Sequence, residues 1–362
     1  MANHRAPDLD IPGEILTMLS VVMETKMIQS IEFGRVIAIF AIVAMHCGLF
    51  LSYWQHEEVP WFGYLFNQAT RFAVPLFFLV AGYLIQPKIT AHPIATLRSY
   101  SLPLIRVFVV WSIICLLMPF NFQALFEHGY LAERQYYWGY LAETPVNSLL
   151  EGGLVHLWFI PALLLAVAIC ALLAKFKALH LLLPLGVVLY VYGALAGSYH
   201  VVTDLWSPFF TRNGPFFSTL LFAIGFTIRQ RAIRLSSLQA LTIAIFGMAC
   251  HFAEVFFLYG YGQGFNENDY VFGTFLWGSG LFLWLLAKPD LGAGSWLTSL
   301  SKYVLPIYVA HLPISILMMN FAGFNGLYGA GKDLVVFFGT VLLTFLLMKG
   351  TEKTPIYHWL FR

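Results

Sequence analysis

The chain has 362 residues, of which 59% are hydrophobic and only 10% charged, and its mean hydropathy is +0.75. Soluble domains average about 25% charged residues, so this composition excludes a soluble enzyme, a disordered chain and a disulfide-stapled secreted domain; most of the surface must meet lipid or other apolar helices. The net charge of +2 is too small for nucleic-acid binding.

Residues 1–30 are more polar than the rest of the chain and carry no signal-peptide cleavage pattern. They read as a cytoplasmic amino-terminal segment with amphipathic helical character, and Met27 is an alternative start. Residues 31–362 read as one all-α membrane domain. Crossing a bilayer takes about 20 largely apolar residues, and ten stretches qualify: 35–54, 69–86, 101–119, 153–174, 178–196, 214–229, 237–259, 270–287, 302–321 and 333–350. Lys175 to Lys177 alone divide the fourth from the fifth, and the sixth is short, so nine and eleven stay open beside ten. Free backbone groups find no partner in lipid, so every span is expected to be helical.

With the amino terminus placed inside, fifteen Lys and Arg residues fall in inner segments and three, Arg134, Arg212 and Lys332, in outer loops. This positive-inside bias puts both termini in the cytoplasm, which requires an even number of spans. The longest outer loop, 121–152, is rich in Glu and aromatics and is expected to hold an interfacial helix, whereas 260–269 reads as a Gly-rich turn. Cys47, Cys115, Cys170 and Cys250 each lie in apolar runs with no CxxC spacing and read as small buried hydrophobes.

A titratable side chain within a span costs about 2.5–3.5 kcal/mol on insertion scales, which makes it a functional candidate. Arg35 and His46 share the first span. Eleven helical steps bring them within about 20° of one line and about 16 Å apart. Alone, Arg35 also fits a snorkelling residue and His46 a packing histidine. Together they present a cation at the cytoplasmic mouth and an imidazole past mid-membrane, which suits a long substrate with phosphates outside and a reactive end inside.

Arg71 stands four residues before Pro75. Proline lacks the N–H that would bond the Arg71 carbonyl, so a kink is expected there. His156 and His311 fall toward the outer half, and His311 lies nine residues beyond Lys302. His251 and Glu254, spaced i, i+3, read as a structural ion pair. The stretch Gly326–Asp333 mimics a phosphate loop but has Asp where a Ser or Thr is needed and no preceding strand, so it is set aside. No metal-ligand pattern stands out.

Arg35-x10-His46, RFAVPLFFLVAGYL (71–84), GLVHLWFIPALL and LSKYVLPIYVAHLPI (300–314) together resemble the membrane acyltransferase-3 family, and within it the enterobacterial common antigen O-acetyltransferase type. The likeness runs from the first span to the ninth. It implies a ten-helix inner-membrane enzyme that takes acyl groups from acyl-coenzyme A and passes them to sugar hydroxyls. Arg35 and His46 match the family's paired motif, Arg71 the Arg of the second block, and His156 and His311 the histidines of later blocks. Glu352-x-x-Pro355 matches an acidic-Pro pattern less closely.

The expected partners are acetyl-CoA as donor, a glycan or lipid-linked sugar as acceptor, and the bilayer; no permanently bound cofactor, metal or nucleic acid is expected. Arg35, with Lys88 and Arg98, is the candidate for the donor phosphates. His46 is the candidate base or nucleophile, two roles the sequence leaves open. Arg71 or His311 is the candidate oxyanion stabiliser, and His156 and Arg212 are candidates for substrate binding on the outer side. The competing class is a transporter or flippase for a lipid-linked glycan, which intramembrane charges and proline breaks also fit.

Overall fold

The computed structural model describes residues 28–362; the expectation for residues 1–27 lies outside the described residues. Among the described residues the protein is all-helical. The chain runs through α1 (Gln29–His46), α2 (Trp61–Ala69), α3 (Ala73–Ala91), α4 (Pro93–Leu117), three shorter helices α5 (Phe122–His128), α6 (Tyr130–Glu143) and α7 (Pro145–Glu151), then α8 (Phe159–Lys175), α9 (Leu182–Ala196) and α10 (His200–Thr203). It continues through α11 (Pro215–Gln230), α12 (Ser237–Tyr259), α13 (Phe272–Ala287), α14 (Val304–Phe324), α15 (Gly329–Thr351) and α16 (Pro355–Phe361).

Among the described residues each expected span contains a helix, and eight candidate spans are long and apolar enough to cross a membrane, against the ten expected. The two that fall short, α11 and α13, have 16 residues each, about 24 Å at 1.5 Å per residue, against a hydrocarbon core about 30 Å thick. Both are packed among neighbours: ten residues of each are buried. The expected first span, 35–54, sits earlier in the chain. α1 starts at Gln29 and stops at His46, because Gly48 and Phe50 take left-handed backbone conformations that turn the chain. Arg35 therefore lies in the second turn of α1.

Pro75 does not kink a helix. The chain leaves α2 through a turn at 70–72, and Pro75 is the third residue of α3. An N–H in a first turn has no intrahelical partner to lose. The segment 121–152, expected to hold one interfacial helix, forms three helices. Glu133 fixes their base: its Oε1 accepts from the Phe120 and Asn121 N–H groups at 2.9 and 3.0 Å. The fully buried Arg134 guanidinium pairs with Glu133 and stacks over the Phe120 and Tyr137 rings.

His251 and Glu254 do not pair with each other. His251 bonds Thr274 Oγ1 (2.9 Å) and Gln68 Oε1 (3.0 Å), while Glu254 accepts from the N–H groups of Phe272 and Gly273 (2.7 and 2.6 Å) and from the Tyr199 hydroxyl (2.6 Å). The first turn of α13 packs against α12, so the carboxylate caps the positive end of that helix. All four cysteines are free, and Cys47, Cys115 and Cys170 are buried. Asp333, the residue that spoils the phosphate-loop mimic, accepts the Ser52 N–H at 2.8 Å.

The close contact between α3 and α11 holds the centre of the molecule. A Cβ added at Gly82 would overlap the Phe222 carbonyl, and one at Gly225 would overlap the Leu79 carbonyl. Helices whose association cannot draw on the hydrophobic effect rely on small residues that let backbones approach. Gly225→Ala is expected to cost about 1–3 kcal/mol through overpacking, read as a lower thermal unfolding midpoint in detergent. An unchanged midpoint would show that the two helices can part without loss.

Candidate active site

α1 rises from Arg35 to His46 while α3 runs the opposite way, from the turn bearing Arg71 to Lys88. With the start of α4, the Val155–Trp158 turn, α8 and α14 they enclose a cavity of about 870 Å³. Arg35, Lys88, Thr96 and Ser99 line one end, and Ile39, Ile42, Val74, Phe77 and Phe159 line the apolar middle. At the other end stand His46, Asn67, Arg71, His156, Arg212, Asn266 and Asp269. Arg35 and His46 thus open onto one chamber, as their helical spacing requires. Arg35 is also paired with Glu32, one turn earlier, at 2.8 Å.

Three imidazoles meet at the deep end. The His311 ring lies 5.2 Å from that of His46 and 5.3 Å from that of His156. Two of the three have their tautomers set by the backbone. His311 Nδ1 lies 2.7 Å from the Tyr308 carbonyl and 3.1 Å from that of Ile307. A carbonyl can only accept, so Nδ1 carries the proton and Nε2 is left as a bare lone pair. His156 Nε2 lies 3.0 Å from the Val309 carbonyl, so its proton is there and Nδ1 is bare. Both bare nitrogens are buried without a partner. The His46 ring makes no hydrogen bond among the described residues and faces the cavity. A neutral imidazole with a free nitrogen in a dry chamber can take a proton from a hydroxyl or attack an acyl carbon.

The end of the chamber opposite Arg35 is built from ion pairs. Arg71 donates to Asp269 Oδ1 (3.1 Å) and to the Asn266 carbonyl (3.0 Å). Arg212 donates to Asp269 Oδ2 (2.6 Å) and to Glu151 Oε1 (2.9 Å), and Asn213 joins Glu151 at 2.9 Å. Burial alone would push the Asp269 carboxyl up, but the Arg212 and Arg71 guanidinium groups outweigh it and hold it below the usual carboxylate range. The loop carrying Asp269 is anchored from outside: Gln68 Nε2 donates to the Phe265 carbonyl at 2.8 Å, and the Ser198 hydroxyl donates to the Tyr270 carbonyl at 2.8 Å.

A family model described as an acyltransferase domain, that of the acyltransferase-3 family, matches residues 28–349. The chain belongs to the acyltransferase-3 family. Two curated proteins are similar to this acyltransferase-3 chain. An amino-acid racemase of Enterococcus faecalis is 24% identical over 212 residues, 54% of this chain and 27% of that protein. A serine/alanine racemase of Enterococcus gallinarum is 23% identical over 264 residues, 67% of this chain and 35% of that protein. The chain thus spans about a third or less of the curated relatives it matches. No solved structure matches it.

The structure brings Arg35, His46, Arg71, Lys88, His156 and Arg212 to one cavity, with His311 directly behind His46. Arg98 is not brought in: it is exposed and stands off the cavity wall. Arg71 is paired through its terminal nitrogens with Asp269 and the Asn266 carbonyl, and the unpartnered His311 nitrogen, Nε2, holds a lone pair rather than a proton. Glu352 also lies apart, held by Lys349 and the Tyr303 hydroxyl at 2.8 and 2.9 Å. Sequence reasoning missed Asn67, Asn266 and Asp269. The signal for Asp269 was available: two arginines set among apolar helices need a counter-charge beside them.

Proposed function

We propose that this acyltransferase-3 protein is an inner-membrane O-acyltransferase that moves an acetyl group from acetyl-CoA to a sugar hydroxyl of a surface polysaccharide or lipid-linked glycan, of the enterobacterial common antigen kind. In this reading it crosses the membrane ten times with both termini in the cytoplasm. The observation that carries it is the chamber itself, basic at the Arg35 and Lys88 end, apolar in the middle, with a hydrogen-bond-free His46 imidazole about 16 Å from Arg35. Such a chamber takes a phosphate-bearing head at its mouth and an extended thioester arm within.

In the direct route the His46 nitrogen removes the hydroxyl proton as the sugar oxygen attacks the thioester carbon. A C–O bond forms, the C–S bond breaks, and the proton passes from His46 to the leaving thiolate, giving the acetyl ester and free coenzyme A. In the two-step route the same nitrogen takes the acetyl group first and the hydroxyl then displaces it. Radiolabelled acetyl-histidine trapped without acceptor marks the second route.

The test is purified protein in detergent with radiolabelled acetyl-CoA and sugar acceptors, followed by mass spectrometry. The expected result is one added acetyl unit per modified hydroxyl. A transporter or flippase for a lipid-linked glycan leaves the mass unchanged. Arg35→Gln is expected to raise the KM for acetyl-CoA about 10- to 100-fold, since a hydrogen bond to a charged group contributes about 1.5–3 kcal/mol. The same variant should leave the KM for S-acetylpantetheine, which lacks the phosphates, where it was. Equal effects on both donors would remove Arg35 from phosphate binding.

A further inference from the structure

The two ends of the chamber differ in net charge. At the inner mouth Arg35 pairs with Glu32, and Lys88 adds a second cation to the lining. At the outer end Arg71 and Arg212 are matched by Asp269 and Glu151, through pairs of 2.6 to 3.1 Å. Two guanidinium groups against two carboxylates leave no charge for an anion to neutralise. Arginines in a substrate chamber commonly invite an anionic ligand; here both charges are already matched.

The member of this group most open to the chamber is a carboxylate. The Asp269 side chain is 30% exposed, against 14% for Arg71, 20% for Arg212 and 11% for Glu151. Each Asp269 oxygen holds one guanidinium N–H and keeps lone-pair capacity to accept another. A hydroxyl can supply that hydrogen. A second carboxylate or a phosphate cannot, and it would meet like charge in a site of low dielectric.

The surrounding unspent groups have the same character. Arg71 Nε and Arg212 Nε have no hydrogen-bond partner, nor do Asn67 Oδ1 and Asn266 Oδ1, and all four residues line the cavity. These four atoms are buried in the chamber wall, so the lining around the charge-balanced carboxylate is polar without carrying free charge. A polyol fits such a lining, because each hydroxyl can donate to the Asp269 oxygens. Trp158 and Phe217, whose rings lie 6.2 Å apart, line the same chamber and offer apolar surface for the C–H face of a sugar ring.

We propose that the outer end of the chamber is a subsite for an uncharged sugar residue, and that Asp269 sets this selectivity by accepting ring hydroxyls and excluding anionic sugars. The proposal rests on the acyltransferase reading and deepens it by naming the acceptor class.

The experiment compares kcat/KM for acetyl transfer to two matched oligosaccharides, one ending in a neutral hexose and one in the corresponding uronic acid. Wild type is expected to prefer the neutral acceptor by at least tenfold. Asp269→Asn leaves two guanidinium groups against one carboxylate, so the ratio should move at least tenfold toward the uronate. Asp269→Glu keeps the charge and should keep the preference. Glu151→Gln, one contact farther from the chamber, should shift the ratio in the same direction by less. Acetyl-CoA binding, followed by thermal shift, reports whether each variant is folded independently of its acceptor.

Equal use of both acceptors by wild type, or an Asp269→Asn variant that is folded and has an unchanged ratio, overturns the proposal and leaves the acyltransferase reading standing. Transfer to no sugar at all removes that reading and this proposal with it.

Discussion

Replacing His46 by alanine is expected to lower kcat for acetyl transfer by about 10²- to 10⁴-fold, the range typical of a positioned general acid–base group, while the KM for acetyl-CoA changes little. The donor's phosphates are assigned to the Arg35 end, about 16 Å away, so loss of an imidazole at the deep end should leave the ground-state grip on the donor intact. The ring is free to act: it lines the cavity, and no hydrogen bond among the described residues occupies either nitrogen. Steady-state kinetics on purified His46→Ala, with folding verified by thermal unfolding, make the comparison. Full activity would take His46 out of the chemistry in both routes.

The second large effect is expected at His311, and it depends on what replaces the imidazole. The Tyr308 and Ile307 carbonyls hold the proton on Nδ1, leaving Nε2 as an acceptor beside the His46 ring. A ring separation of 5.2 Å is close to that of two imidazoles joined by an N–H···N bond of about 2.9 Å. A small turn of the His46 ring then lets it donate one N–H to His311, which fixes its tautomer and turns its bare nitrogen to the substrate.

His311→Ala removes the acceptor and is expected to lower kcat about 10- to 100-fold, equivalent to about 1.5–3 kcal/mol for a hydrogen bond to a group that becomes charged in the reaction. His311→Gln offers an amide oxygen in its place and should recover much of that loss. The nitrogen-15 resonances of His46 should report one tautomer in wild type and a mixture in the alanine variant. Equal losses in the alanine and glutamine variants, with an unchanged His46 signal, would make His311 a packing residue.

How much of the fold and the site was legible in the sequence depends on the range of each interaction. The placement of Arg35 and His46 along one wall could be read directly, because two side chains on one helix are fixed by 100° per residue and nothing distant can alter that. The existence of the helices could be read for the same reason, since lipid forbids unpaired backbone. The lengths of α11 and α13 could not. Whether a short apolar helix meets lipid or protein depends on which neighbours surround it.

His251 and Glu254 show the limit of local spacing. Their i, i+3 offset put them on one face, but α13 presents free N–H groups to the carboxylate and Gln68 reaches the imidazole, so each found a better partner elsewhere. Arg71 was singled out as a cation within an apolar stretch, yet its partner, Asp269, lies 198 positions later in the chain. The tautomers of His156 and His311 rest on carbonyls that only folded coordinates place.

The support beneath the Gly-rich decapeptide at 260–269 bears on engineering. Its outline is imposed by side chains that belong to other parts of the protein: Gln68 from α2, itself gripped by His251 of α12, and Ser198 after α9. A graft of those ten residues into a homologue would carry the Asp269 carboxylate without its scaffolding, and the transplanted segment would settle into whatever contour the host dictates. If Asp269 has the proposed role, exchange of acceptor preference between relatives demands moving the buttress together with the loop.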